Sequence, residues 1–568
     1  MAHPVRAREL LLPSLAGYRR AWLSKDVVAG LVLSALLVPQ GMAYAELAGL
    51  PPVTGLYTSI LCLVGYALVG PSRILVLGPD SALGPMIAAT ILPLVGADGD
   101  PAKAVLLASL LALMTGAMMI AAGAGHLGFV ADLLSKPTIL GYMNGLALTI
   151  LVGQLPKLFG FSTDADGFLQ DVGAFVSGVT NGEVVPAAAA IGLLSLALIV
   201  VLDRFLPKVP AVLVAVLVAM AISVAASLGE RGVALVGPLV QGLPQLTIPV
   251  VGLDDLGLLV IGALGISLVA LTDTISTATS FAERQGARVD GNREMIGIGT
   301  ANIAAGLFQG FPVSTSGSRT AVAEKAGART QITGLVGAGM IALMLVAFPS
   351  LLAELPQPTL AAVVIAASIS LADLPATRRL LSQRRADFIL CMAAFLGVVL
   401  LGVLPGIVVA ISLSVVNVFR RIWWPYRALL GRVEGMPGLH DVTSYPTAEI
   451  LPGCPVLRFD APLIFANSRA FREEVLEIAA GDPRPTWIVV AAEPMTDVDT
   501  TACDMLEELV RKLDEQGTRL VFAELKDPAR RKIERYGLEH VLEDDRFFPT
   551  IRSAVEAYRA ATGANWQG

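Results

Sequence analysis

Long apolar runs, broken by short polar or Gly-Pro stretches, fill the first three quarters of the chain. From Val27 to Ser72 the only charged residue is Glu46. That pattern predicts one membrane span from about Asp26 to Ala45 and a second from about Gly55 to Val69. Further runs predict spans over Ala104–Ala124, Ile139–Pro156, Ala187–Leu202, Val209–Leu228, Leu256–Phe281 and Met295–Leu307. The last predicted spans are Ile332–Phe348, Leu360–Leu371, Phe388–Leu404 and Gly406–Phe419. With a shorter piece near Leu127–Leu134 and two half-helices, about fourteen membrane segments are expected. Several are too short to cross alone, as re-entrant or broken helices are.

The interruptions carry the chemistry. In Val38-Pro39-Gln40-Gly41-Met42-Ala43-Tyr44-Ala45, Pro39 predicts a kink that turns Gln40 and Tyr44 inward. The competing reading is an ordinary packing kink with a buried amide. Leu75-Val76-Leu77-Gly78-Pro79-Asp80-Ser81-Ala82-Leu83-Gly84-Pro85 and Phe308-Gln309-Gly310-Phe311-Pro312-Val313-Ser314-Thr315-Ser316-Gly317-Ser318-Arg319-Thr320 share one grammar. Each has a helix-breaking Pro, then small or polar residues, then a further segment. Interrupted segments in corresponding places of two halves point to a transporter's binding site. Pro79 and Pro312 are each expected to open a half-helix. A helix that starts at membrane depth aims unpaired N–H groups and the positive end of its dipole at one spot, which suits an anion. Arg319 adds a fixed charge roughly a turn and a half further on. At the centre of a span it costs about 2.5–3.5 kcal/mol, so it should face protein or water. The alternative is that Ser and Gly there only let helices pack closely.

One more intramembrane charge stands out. Leu271-Thr272-Asp273-Thr274-Ile275-Ser276-Thr277 lies in a span otherwise uncharged from Leu256 to Ala282. Asp273 is either functional or a simple partner for Arg319.

After Arg420-Arg421-Ile422-Trp423-Trp424-Pro425, an aromatic and basic interface signature, the pattern changes. From about Pro437 it reads as a soluble α/β domain. Val456–Phe459 and Leu463-Ile464-Phe465 predict strands, and Ser468–Ala479 an amphipathic helix. Trp487–Ala491 predicts a buried strand. Asp499-Thr500-Thr501 caps a helix to about Gln516, and Arg519–Ala523 is another strand. The expected organisation is a cytoplasmic N-terminus over 1–25, a transmembrane domain over 26–425 and the soluble domain over 437–560.

Composition agrees and excludes other classes. Of 568 residues, 55% are hydrophobic and 15% charged, and Gly is over-used at 55 residues. These values define a polytopic membrane protein, not a soluble enzyme. No strongly basic domain suggests nucleic acid, and the net charge of −6 says little because charge sits in loops and the C-terminal part. Cys62, Cys391, Cys454 and Cys503 are scattered and the four His are dispersed, so no disulfide framework, zinc or haem site is expected. Arg6, Arg8, Arg19, Arg20 and Lys25 precede the first run with no small-residue cleavage site close behind, which predicts a retained span. Basic residues crowd alternate connections: Arg204 and Lys208; Arg284, Arg288 and Arg293; Arg378, Arg379, Arg384 and Arg385. The connections Thr163–Glu183 and Gly237–Asp255 are acidic or neutral. The positive-inside rule then puts both termini in the cytoplasm of a cell (inner or plasma) membrane.

Over nearly its whole length the chain resembles the SulP family of anion permeases. The carrying residues are Pro39–Ala45, Gly55-Leu56-Tyr57, Leu77-Gly78-Pro79 and Gly310–Thr320, with a C-terminal part similar to a STAS domain. The resemblance implies two inverted seven-segment repeats, a core domain moving against a gate domain, and a homodimer. It places the anion between half-helices begun by Ser81 and Ser314, lined by Gln40 and Tyr44, with Ser316, Ser318 and Arg319 near it. Sodium-coupled bicarbonate members carry an acid and a threonine one turn later as cation ligands. Asp273 and Thr277 match, with Thr315 and Ser316 opposite. Other members have Glu there and are linked to protons. Asp80 departs from many relatives, and a carboxylate beside an anion repels it unless protonated or paired. Thr500 falls where soluble STAS proteins are phosphorylated, but Ala502 replaces their usual Gly, which favours a plain helix cap.

The expected function is secondary active transport of an inorganic anion, sulfate first, coupled to H+ or Na+. Alternatives are a sodium-dependent bicarbonate or dicarboxylate symporter, or an anion exchanger. Nucleobase permeases share the fold but lack the STAS tail and such an arginine. A sensor has no need of two half-helices, and no Walker loop, nucleophile elbow or zinc spacing marks an enzyme. No cofactor beyond a coupling ion is expected.

Overall fold

The computed structural model describes residues 13–15, 18–96, 99–127, 135–163, 167–206, 209–252, 255–284 and 289–564. The chain divides into two compact units, Met1–Ser414 and Val415–Gly568. The predicted piece at 128–134 lies outside the described residues, as do Arg6, Arg8, Lys208 and Arg288.

The first unit is helical. Its elements are α1 (Leu23–Leu47), α2 (Pro52–Val69), β1 (Leu77–Gly78), α3 (Gly84–Val95), α4 (Pro101–Ala124), α5 (Lys136–Phe159), α6 (Phe168–Thr180), α7 (Pro186–Phe205) and α8 (Ala211–Ala226). They continue with α9 (Leu256–Arg284), α10 (Gly291–Leu307), β2 (Ser314–Thr315), α11 (Gly317–Ala326), α12 (Ile332–Ala347), α13 (Gln357–Leu371), α14 (Leu374–Gln383) and α15 (Arg385–Leu401), and α16 (Val403–Trp423) runs from the first unit into the second. Among the described residues, eight helices are long and apolar enough to cross a membrane. Setting aside the amphipathic α6 and α14, fourteen of these sixteen helices remain among the described residues. Both amphipathic helices occupy stretches expected to be connections. Phe175 of α6 packs edge-on against Phe159, with ring centroids 5.5 Å apart, and the Asp373 carboxylate accepts the Ala376 N–H at the start of α14 (2.9 Å).

Close backbone approach packs the bundle. A methyl built on Gly55 would lie 1.9 Å from the Gly41 carbonyl, so α1 and α2 touch through their main chains. α1 runs unbroken through Pro39. At its start the fully buried Asp26 accepts hydrogen bonds from the Arg329 N–H (2.6 Å), the Thr330 N–H (3.1 Å) and the hydroxyls of Thr330 (2.8 Å) and Thr333 (3.1 Å). One carboxylate thus satisfies two N–H groups of the turn that leads into α12 and, through the Thr333 hydroxyl, pins that helix to α1.

β1 and β2 are two-residue strands that pair antiparallel, Leu77 with Thr315 and Gly78 with Ser314. They correct the expected helix starts. The half-helices α3 and α11 begin at Gly84 and Gly317, not at Pro79 and Pro312 or at Ser81 and Ser314, because a turn closed by the Leu83 and Gly84 N–H groups on the Asp80 carbonyl stands between β1 and α3, and β2 runs extended up to the Ser316 cap of α11. Arg319 consequently stands in the first turn of α11 rather than beyond it. Side chains brace the pair from neighbouring helices. Asn302 on α10 accepts from the Val313 N–H (2.9 Å) and donates to its carbonyl (3.2 Å). Gln331 donates to the Ser72 and Leu75 carbonyls, each at 2.9 Å. The buried Glu294 accepts from Tyr66 (2.7 Å) and from the Ser72 hydroxyl.

The second unit holds a six-stranded mixed sheet in the order β4-β3-β5-β6-β7-β8. Its strands are β3 (Arg427–Arg432), β4 (Leu439–Asp441), β5 (Val456–Phe459), β6 (Trp487–Ala491), β7 (Arg519–Ala523) and β8 (Phe547–Phe548). β5 to β8 run parallel, while β3 pairs antiparallel with β4 and β5. Helices α17 (Ser468–Ala479), α18 (Thr500–Glu515), α19 (Asp527–Arg535) and α20 (Ile551–Thr562) alternate with the later strands. The sheet starts at Arg427, ahead of the expected Pro437, and β3, β4 and β8 had no clear sequence signal. Leu463–Phe465 is not a strand. The buried Asn467 accepts the Ile464 N–H (3.0 Å) and donates to the Pro462 carbonyl (2.9 Å), which folds that segment into a turn. Only Leu463 makes an isolated bridge, to Val498.

Candidate anion site

Where β1 and β2 meet α3 and α11, a cavity of about 520 Å³ opens. Gln40, Tyr44, Asp80, Ser81, Asp273, Ser314, Thr315, Ser316, Ser318 and Arg319 all line it. Residues far apart in sequence are therefore brought to one place. Thr277 is the exception among the expected site residues. It does not line the cavity and stands one turn further along α9, 3.9 Å from where a methyl on Gly317 would be.

Local folding explains each placement. The β-region backbone of Ser316 makes it the N-cap of α11, and its hydroxyl accepts from the Arg319 N–H (3.4 Å) and contacts Ser318 Oγ (3.0 Å). That cap holds Arg319 on the cavity side of the first turn. The guanidinium is 2% exposed, and none of its three nitrogens has a hydrogen-bond partner among the described residues. Its nearest counter-charge is Asp80, with Nη2 and Oδ2 separated by 3.9 Å. At an effective dielectric of about 20 that attraction is roughly 4 kcal/mol before desolvation is subtracted. The other oxygen of Asp80, Oδ1, accepts the Ala82 N–H at 2.8 Å, so the carboxylate sits at the entry to α3.

Across the cavity, Thr315 Oγ1 lies 3.4 Å from Asp273 Oδ2 and 3.3 Å from Thr274 Oγ1. Asp273 is thus tied to β2, and the ion pair of Arg319 is with Asp80. Three residues that the sequence did not mark as site residues belong here. Gly78 leaves the room that Arg319 occupies. Thr274 backs Thr315, its β-branched side chain indistinguishable in sequence from ordinary helix packing. Asp203 lines the cavity with Pro210 and stands just past the predicted span Ala187–Leu202.

A buried arginine without hydrogen-bond partners among the described residues, in the first turn of a half-helix that opens on a cavity inside a bundle of membrane-spanning segments, defines a multi-pass membrane transporter of anions rather than an enzyme. Residues 23–394 match the sulfate permease family and residues 445–554 match the STAS domain. The chain belongs to the sulfate permease family and ends in a STAS domain. It is 41% identical to a probable sulfate transporter of Mycobacterium tuberculosis, over 95% of this chain and 96% of that one. It is 28% identical to sulfate transporter 1.3 of Arabidopsis thaliana, over 94% of this chain and 84% of that protein. The fold matches that of the murine Solute Carrier 26 family member A9 anion transporter in the inward-facing state. The TM-score is 0.90 at 24% identity, covering 99% of this chain and 96% of the other.

Proposed function

We propose that this protein carries sulfate into the cell by symport with a cation, H+ or Na+. The observation behind this reading is that Asp273 and Arg319 line one cavity, so a cation and an anion can be bound in view of each other. The names of the relatives favour sulfate as the anion. Energetics favour coupling. Moving one charge through 100 mV is worth about 2.3 kcal/mol, so a dianion entering against about −150 mV faces roughly 7 kcal/mol. Two co-transported monovalent cations cancel that electrical term.

In this reading the anion displaces water from Arg319 and takes hydrogen bonds from its free nitrogens and from the Ser81, Ser314, Ser316 and Ser318 hydroxyls, while Gln40 and Tyr44 shape the wall. Asp273 takes up the proton. If the ion is Na+, its holders are Asp273, Thr315, Ser316 and Thr277, a set of hard oxygen donors whose first two members are already 3.4 Å apart. The cavity lining includes Asp203 of α7 and Pro210, which flank the connection after α7, and the last turn of α7 also carries Arg204. On the positive-inside assignment that side of the cavity faces the cytoplasm, with both termini inside a plasma membrane. The working form is a homodimer, which cross-linking in the membrane tests.

The deciding experiment is uptake of radiolabelled sulfate and bicarbonate into proteoliposomes, with sodium and proton gradients imposed separately. Sulfate accumulation that follows one of the gradients supports symport. Bicarbonate accumulation without sulfate uptake moves the assignment to a bicarbonate symporter, and sulfate flux that depends only on an anion inside makes the protein an exchanger.

A further inference from the structure

The placement of Asp80 is unexpected for an anion site. Its carboxylate occupies both features that should attract the substrate. Oδ1 takes the Ala82 N–H at the start of α3, and Oδ2 faces Arg319 at 3.9 Å. We propose that Asp80 is a tethered stand-in for the transported anion. It holds Arg319 while the site is empty, and it must take up a proton of its own, separate from any taken by Asp273, before an anion can replace it. This inference rests on the sulfate reading above.

Three observations carry it. The separation of 3.9 Å is beyond hydrogen-bond range, so the pair is ionic only. The guanidinium donors, buried and without partners among the described residues, are left for a ligand that can come closer. Second, the charge around the site is wrong for a dianion. The cavity lining contains Arg319 as its one basic residue among the described residues, and Asp80, Asp203 and Asp273 as acids. With all four ionised, two negative charges are uncompensated. Neutralising Asp273 alone still leaves Asp80 competing for Arg319 at close range. Third, protonation of Asp80 does two things at once: it releases the guanidinium and removes the repulsion. The groups that bear on Asp80 are Arg319 from α11, Asp273 from α9 and Tyr44 from α1, with the Ser314 hydroxyl of β2 beside it, and Asp203 from α7 lines the same cavity. Arg319 is the counter-charge paired with Asp80, so arrival of the anion at Arg319 leaves an ionised Asp80 facing a negative charge with nothing to balance it.

The test is equilibrium sulfate binding to the purified full-length protein in nanodiscs, by calorimetry, from about pH 5 to about pH 8. Proton uptake on binding appears as the slope of log Kd against pH. The wild type should lose affinity with rising pH more steeply than Asp80→Asn, by close to one proton, or about tenfold in Kd per pH unit. At about pH 8, Asp80→Asn should bind sulfate at least about tenfold more tightly than the wild type. Calorimetry in buffers of different ionisation enthalpy should show one proton fewer taken up by the variant. Asp80→Ser, which keeps an acceptor for the Ala82 N–H, is measured alongside so that misfolding of one variant does not decide the outcome. Equal slopes, or weaker sulfate binding by both variants at every pH, overturn the proposal and make Asp80 a helix cap or a direct ligand. A wild type that binds no sulfate at any pH strikes the sulfate reading instead, and the same slope comparison is then made with nitrate, an anion that does not titrate in this range.

Discussion

Gly78 has no side chain where Arg319 needs its space. A methyl on Gly78 would lie 2.8 Å from Arg319 Nη1 and 3.2 Å from Leu37 Cδ2. The strand residue that pairs with Ser314 is therefore also the floor under the guanidinium. Gly78→Ala should insert and fold yet lower sulfate uptake by about tenfold to a hundredfold, the scale expected of a misplacement near 1 Å. Arg319→Ala should abolish uptake at equal expression. Proteoliposome flux measures both, and wild-type flux in Gly78→Ala would show that the guanidinium does not depend on this contact.

Asp273→Asn should lose gradient-driven accumulation while anion exchange across the liposome survives. The amide keeps a contact for Thr315 but cannot carry a proton or balance a cation. The measurement is the ratio of internal to external sulfate under an imposed proton or sodium gradient. A variant that still concentrates sulfate would place coupling elsewhere.

In the STAS domain the cap of α18 is Asp499 alone. Its Oδ1 accepts the Ala502 N–H (2.8 Å) and its Oδ2 the Phe465 N–H (2.7 Å). Thr500 is the exposed first residue of the helix. This corrects the shared Asp-Thr-Thr cap expected from sequence. Asp499→Ala should destabilise the domain by about 1–2 kcal/mol, and Thr500→Ala by less than about 0.5 kcal/mol. Hydrogen exchange of the first turn of α18 in the full-length protein separates the two. Thr500→Asp should leave uptake unchanged, and a large change in rate would make the position a regulatory switch.

Asp441, at the end of β4, is held below the usual carboxylate range by the Thr443 hydroxyl first, then by Tyr426 and the Thr443 N–H. A carboxylate depressed in the folded state adds stability above its unfolded pKa of about 3.9, and that stability is lost as pH falls through the folded value. Amide protection in the β3–β4 hairpin should therefore decline as the pH drops below about 4. Asp441→Asn should flatten this dependence, and an unchanged profile would remove Asp441 as its source.

The membrane spans and the α17 and α18 helices were legible because long apolar runs and amphipathic periods are local signals. The residues that line the cavity were legible as types, since charges such as Asp273 and Arg319 are conspicuous in apolar surroundings. What could not be read was pairing. β1 and β2 are two residues each, too short for any alternation, and nothing near Leu77 announces Thr315. The helix starts were misjudged for that reason, because Pro79 and Pro312 signal a break but not whether a helix or an extended segment adjoins it. Asp80 could be seen beside an anion site, but its attachment to the Ala82 N–H and its distance from Arg319 exist only in three dimensions. Asp203 and Thr274 were likewise hidden, one as a span-end charge and the other as an ordinary β-branched helix residue.

The pairing of Leu77 with Thr315 also bears on how the protein is made. When β1, Asp80 and α3 emerge from the ribosome and enter the bilayer, β2 and Arg319 have not yet been synthesised. An open strand edge and an uncompensated carboxylate cannot rest against lipid. The first repeat must therefore wait, partly assembled or shielded by the insertion machinery, until the second delivers both the matching strand and the arginine. Assembly of the site is the step that commits the two halves to each other, and a chain cut between α8 and α9 should regain its fold only when both fragments are supplied to the same membrane.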